Sequence, residues 1–124
     1  ILQATFWGMR TAFRTLGMLQ AVALIDGNAV PKRFPGAARP LVGGDGRSLS
    51  IAAASIVAKV TRDRIMVRLA KHYSGYGWEN NKGYGTAEHA SGIERHGVCA
   101  HHRRSFAPIR RVLARSGETV PAGP

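Results

Sequence analysis

The chain reads as an α/β protein, and three observations support that reading. Apolar residues recur at spacings of three and four near the start, at Leu2, Phe6, Met9 and Phe13, as on one helix face. Two short apolar runs, Ala21-Val22-Ala23-Leu24-Ile25 and Leu41-Val42, are each followed by glycine and an aspartate. A long helical stretch then runs from about Ile51 to His72, with Ser48 or Ser50 as its N-cap. Strands that alternate with helices define the class.

Taken in order, residues 1–18 are expected to form an amphipathic helix that ends near Gly17, and residues 21–25 a short, fully apolar strand. Residues 27–40 read as a loop, because Pro31, Lys32, Arg33, Pro35, Gly36, Arg39 and Pro40 crowd it. Leu41-Val42 begins a second strand, stopped by Gly43, Gly44 and Gly46. After the long helix, Tyr73 to Trp78 form a turn-rich aromatic loop, and Lys82-Gly83-Tyr84-Gly85 a second loop. Thr86 caps a short helix, Ala87 to His96, which Gly97 ends. A last basic helix from Arg104 to about Arg115 is expected to be interrupted early by Pro108, and residues 117–124 to be a disordered tail on a domain of residues 1–116. Two strands are too few for a sheet that stands alone, and the chain opens at Ile1 inside a helical pattern with no N-cap. Both features suggest a fragment whose remaining strands come from a preceding N-terminal half.

Composition narrows the function. Eighteen Lys and Arg face seven acids, for a net charge of +11 and a pI of about 11.3. That balance favours a polyanionic partner, most simply nucleic acid; a basic surface that serves solubility is the plainer alternative. Cys99 is the only cysteine, so no internal disulfide forms and a reducing compartment fits. No apolar run approaches the roughly 18 residues that span a bilayer. No charged start followed by an apolar core reads as a signal peptide, and a soluble cytoplasmic protein without membrane contact is expected.

The chain has three aspartates. Asp26 and Asp45 each follow a strand-like run, which would put both carboxylates at one edge of a sheet, where oxygen ligands suit a divalent cation such as Mg²⁺. Each also has turn chemistry around it, Asp26-Gly27 and Gly44-Asp45-Gly46, so a plain turn role stays open. Asp63 borders an apolar stripe of Ile56, Val60, Met66 and Val67, and there an ion pair with Lys59 or a nearby arginine is expected. In Trp78 to Gly85, glycines let the backbone approach a phosphodiester chain, and Tyr84 can stack on a sugar or base; a loop with its aromatics in the core is the alternative. Cys99-Ala100-His101-His102 lacks the second ligand pair of a structural zinc site and reads as the lead-in to Arg103-Arg104-Ser105-Phe106, where arginines suit phosphate or form a solvated basic face. His72, His89 and His96 carry no pairing that suggests catalysis, and there is no Gly-x-Ser-x-Gly elbow, Walker loop or dinucleotide fingerprint.

Five segments together resemble bacterial ribonuclease HII over Ile1 to about Val112: Leu24-Ile25-Asp26-Gly27-Asn28, Gly44-Asp45, the run Ala53 to Arg64 that includes Ser55, Lys59 and Asp63, Lys82-Gly83-Tyr84-Gly85-Thr86, and His102-Arg103-Arg104-Ser105-Phe106. The resemblance implies a ribonuclease H-like fold, a mixed sheet flanked by helices, here without its N-terminal strands. It implies an endonuclease that cuts RNA in RNA–DNA hybrids and 5′ of single ribonucleotides in duplex DNA, using four carboxylates and two Mg²⁺ or Mn²⁺ ions, and a monomer when complete. Asp26 then corresponds to the third carboxylate and Asp45 to the fourth; Asp63, with Lys59 and Ser55, belongs to a structural motif. Tyr84 corresponds to the tyrosine at the RNA–DNA junction, with Lys82 and Gly83 beside it, and Arg103 and Arg104 support the substrate groove. The family's Asp-Glu-x-Gly-Arg-Gly motif is absent from this chain, Gly43 replaces a usual lysine, and Gly85 stands where proline is also common, a milder change. A non-catalytic basic nucleic-acid binder and ribonuclease HIII are the rival readings.

Overall fold

The computed structural model describes residues 2–18, 20–104, 106–115 and 117. Its helices are α1 (Leu2–Leu16), α2 (Leu49–His72), α3 (Trp78–Asn81), α4 (Ala87–His96) and α5 (Ala107–Arg115), and its strands β1 (Ala23–Asp26) and β2 (Ala38–Leu41). The chain divides into two compact units, Ile1–Lys59 and Val60–Pro124.

In the first unit β1 and β2 pair in parallel, with Ala23 opposite Ala38 and Asp26 opposite Leu41. Both strands therefore finish at the same edge, and the 3₁₀ turn Gly44–Gly46 follows β2 there. The second strand differs from the sequence expectation: Ala38, Arg39 and Pro40 belong to it and Val42 does not. The reason is backbone geometry. The Ala37 and Leu41 carbonyls accept from Ala23 N–H and Gly27 N–H at 2.9 and 3.0 Å. Residues 37, 39 and 41 thus face β1, and the N–H that Pro40 lacks falls on the open edge, where proline is tolerated. The buried apolar residues are Phe13, Ile25, Ile51 and Pro31. Phe13, from α1, meets Phe34 of the β1–β2 connection with ring centroids 4.9 Å apart. Gly17, at φ 66°, follows α1.

The second unit has its core around Ala70, Tyr76, Trp78, Ile93, Ile109 and Leu113. Trp78 is 1% exposed, which fits a large ring whose burial stabilises by roughly 1.5–3 kcal/mol or more. Its stretch is not a continuous loop as expected: Trp78–Asn81 forms one helical turn, entered through Gly77 at φ 66° and left through Lys82 at φ 51°. Thr86 caps α4 as the sequence predicts, its Oγ1 accepting from His89 N–H at 3.2 Å, and Gly97 ends the helix. Pro108 does not interrupt the last helix; α5 starts at Ala107, so the proline sits in the first turn, where no intrahelical N–H is required. The expected tail beyond Gly117 and Ser105 of the basic motif lie outside the described residues.

Candidate metal corner and nucleic-acid groove

Asp26 is the last residue of β1 and is exposed. Its Oδ1 accepts the Gly44 N–H at 2.9 Å. Gly44 is buried, and a Cβ there would meet the Ile51 Cδ1 at 2.5 Å and the Asp26 Oδ1 at 3.3 Å. A side chain at this position would have to displace the Ile51 methyl and would crowd the Asp26 carboxylate. The next residue is Asp45, exposed in the 3₁₀ turn, whose Oδ1 accepts the Gly46 N–H at 2.9 Å. A single hydrogen bond thus ties the strand bearing one carboxylate to the turn bearing the other. The donor chemistry suits a hard divalent cation, but two carboxylates are a partial set. Among the described residues, no three His, Cys, Asp or Glu side chains cluster as a metal site.

Tyr84, in the second unit, is 55% exposed. The Arg62 guanidinium lies over its ring, 4.7 Å from the centroid. The two residues line a groove of about 530 Å³ together with Gly83, Gly85, Arg103 and Phe106, floored by Trp78, His89 and His102. Lys82 lines a different depression, with Asp63, Arg64 and Arg68, and donates through Nζ to the Glu79 carbonyl. Asp63 pairs with Arg62 at 3.2 Å, an arginine partner of the kind the sequence reading allowed. Ser55 and Lys59 sit exposed on the first-unit part of α2, and Arg103 and Arg104 are exposed beside the groove segment.

A family model for ribonuclease HII matches residues 1–109. The chain belongs to the ribonuclease HII family. Curated proteins named ribonuclease HII agree: one from Gluconobacter oxydans is 56% identical over 113 residues, 91% of this chain and 54% of that protein. One from Jannaschia sp. is 58% identical over 113 residues, covering 91% and 57%. One from Rhodospirillum rubrum is 56% identical over 116 residues, covering 94% and 53%. The chain therefore spans about half the length of the curated ribonuclease HII proteins it matches.

In this ribonuclease HII chain, sequence reasoning missed the polar network under Tyr84. His89, which has no pairing in the sequence that suggests catalysis, is buried and hydrogen-bonded through both ring nitrogens. Its Nε2 accepts from Trp78 Nε1 at 3.1 Å and lies 3.2 Å from His102 Nε2, while its Nδ1 lies 3.0 Å from the Tyr84 carbonyl. His102 Nδ1 accepts the Cys99 N–H at 3.1 Å. Burial holds the His102 imidazole below its ordinary pKa, and His89 and His101 push the same way against the Cys99 hydrogen bond. The available signal was the cap: Thr86 as N-cap sets His89 in the first turn of α4, facing back over the loop it closes. No helix among the described residues is long and apolar enough to cross a membrane.

Proposed function

We propose that this chain supplies part of the catalytic site of an endonuclease that hydrolyses RNA in RNA–DNA hybrids and cuts 5′ of single ribonucleotides in duplex DNA. The observation that supports it most is the Asp26–Gly44 hydrogen bond, which joins two carboxylate-bearing segments at one sheet edge. Asp26 and Asp45 act as two ligands of Mg²⁺ or Mn²⁺. Bound metal of this kind supplies an activated water and neutralises charge at the cleaved phosphodiester. Asp26 keeps one oxygen on the Gly44 N–H, which fixes the orientation of its carboxylate. Tyr84 offers an exposed ring for the sugar or base at the junction, and Arg62 and Arg103 add positive charge along the same groove. The net charge of +11 attracts the duplex before any specific contact forms.

The 124-residue sequence holds no Asp-Glu-x-Gly-Arg-Gly motif, so cleavage requires a segment that supplies it. The test is cleavage of a DNA duplex carrying one ribonucleotide, with Mg²⁺ or Mn²⁺, with and without such a segment. Cleavage only with the segment, and its loss in Asp26→Asn, is the expected result. Robust cleavage by the chain alone refutes the split of ligands. Retained binding with no cleavage in either arm favours a non-catalytic basic binder.

A further inference from the structure

Tyr84 is presented by a short loop whose backbone is unusual. Lys82 and Gly83 both sit in the left-handed region, at φ 51° and 79°, and for lysine that conformation is costly. Something must hold it. The buried Asn81 does part of this: its Oδ1 accepts the Gly83 N–H at 2.8 Å, and its Nδ2 donates to the Tyr76 carbonyl at 2.8 Å. The Asn81 carbonyl accepts the Tyr84 N–H at 2.8 Å. The Tyr84 carbonyl accepts from Thr86 N–H at 2.8 Å and meets His89 Nδ1 at 3.0 Å.

The partners of His89 dictate its protonation. A carbonyl only accepts, so Nδ1 facing Tyr84 bears the hydrogen. An indole N–H only donates, so Nε2 facing Trp78 is bare. The two demands agree on one neutral tautomer. His102 completes the set in the opposite sense: its Nδ1 accepts from the Cys99 N–H, leaving Nε2–H to donate toward His89 Nε2. Two donors thus converge on His89 Nε2, which leaves the single N–H of the ring, on Nδ1, for the Tyr84 carbonyl.

We propose that His89 is a positioning residue for Tyr84, with Trp78 and His102 fixing the tautomer that lets it grip the loop and present the Tyr84 ring to nucleic acid. The proposal deepens, and rests on, the reading of Tyr84 as a stacking platform.

Two substitutions at one position separate grip from core. The amide of Asn overlies Nδ1, so His89→Asn keeps a donor for the Tyr84 carbonyl but leaves Trp78 Nε1 without its acceptor. The amide of Gln overlies Nε2, so His89→Gln keeps an acceptor for Trp78 but removes the side-chain donor from the Tyr84 carbonyl. The probe is a short RNA–DNA hybrid, with affinity read by fluorescence anisotropy and folding by thermal melting. Tyr84→Ala is expected to weaken binding about tenfold, the usual scale for a lost aromatic stack. His89→Gln is expected to weaken it by most of that factor at a near-native melting temperature. His89→Asn is expected to bind as the parent but melt lower, and adding His89→Gln to Tyr84→Ala to cost nothing more. Ring ¹⁵N shifts are expected to find His89 protonated at Nδ1 and His102 at Nε2. Parent-like binding by His89→Gln, where Tyr84→Ala is weak, overturns the positioning role alone, as does the opposite tautomer at His89. Unchanged binding in Tyr84→Ala removes the stacking reading and the proposal with it.

Discussion

Burial of His102 makes the second unit sensitive to acid. Burial shields its ring from solvent, and His89 beside it disfavours a second positive charge, so its folded-state pKa lies below the ordinary value of 6.5. The unfolded chain takes up a proton near that value while the folded chain refuses it. Stability from this group is therefore complete above about pH 6.5 and declines as the pH falls toward the folded pKa. Thermal unfolding followed by circular dichroism from about pH 8 to about pH 5 should show the midpoint falling across the acidic half. His102→Gln, which does not titrate, should flatten that part of the profile. At this scale the sequence was half legible. Asp26, Asp45 and Tyr84 stand out because a charge or a ring interrupts a recognisable local pattern. His89 did not, because its partners Trp78, Tyr84 and His102 meet it only after three separate turns have folded.

At the scale of elements, the approach of α4 to the 73–77 turn depends on a missing side chain. A Cβ at Gly92 would lie 2.9 Å from the Tyr76 Cα and would also meet the Gly75 carbonyl. Both obstacles are backbone and cannot rotate away. Gly92→Ala should destabilise the protein by about 1–3 kcal/mol, the cost of overpacking, although alanine is the better helix former. Urea unfolding measures it; a stabilised variant would show that the close approach is not needed. The capping signals predicted α4 residue for residue, since Thr86 and Gly97 act through local hydrogen bonds. β2 was misplaced by three residues because strand pairing is decided by a partner's backbone, which tolerates Arg39 and Pro40 on an open edge. α3 escaped notice because one helical turn has no periodicity to read.

For the whole molecule, charge dominates the expected behaviour. With eighteen basic and seven acidic residues, binding to duplex should weaken steeply as salt rises, through release of counterions. Arg103→Ala should lower affinity and reduce the log–log salt slope by about one, as for a lost phosphate contact. Tyr84→Ala should lower affinity with the slope unchanged, because stacking releases no counterion. Titrations at several salt concentrations distinguish the two; equal slopes in parent and Arg103→Ala would take Arg103 out of the groove's phosphate contacts. Large apolar side chains also remain exposed in the first unit, Val22, Leu24, Ile56 and Val57 among them. Its own buried set is small, and the chain spans about half the length of the curated relatives it matches.

The sequence by itself determined the α/β class, the helix that Thr86 opens, the basic character and the family, because these rest on local pattern and on motif residues in fixed order. Tertiary structure alone decided that Gly44 would clasp Asp26, that Lys82 would leave the groove of Tyr84, and that two histidines would share a buried hydrogen bond. The reason is physical. A hydrogen-bond donor or acceptor has no visible partner in a linear chain, and it acquires one only when burial removes water and leaves the nearest protein atom to satisfy it.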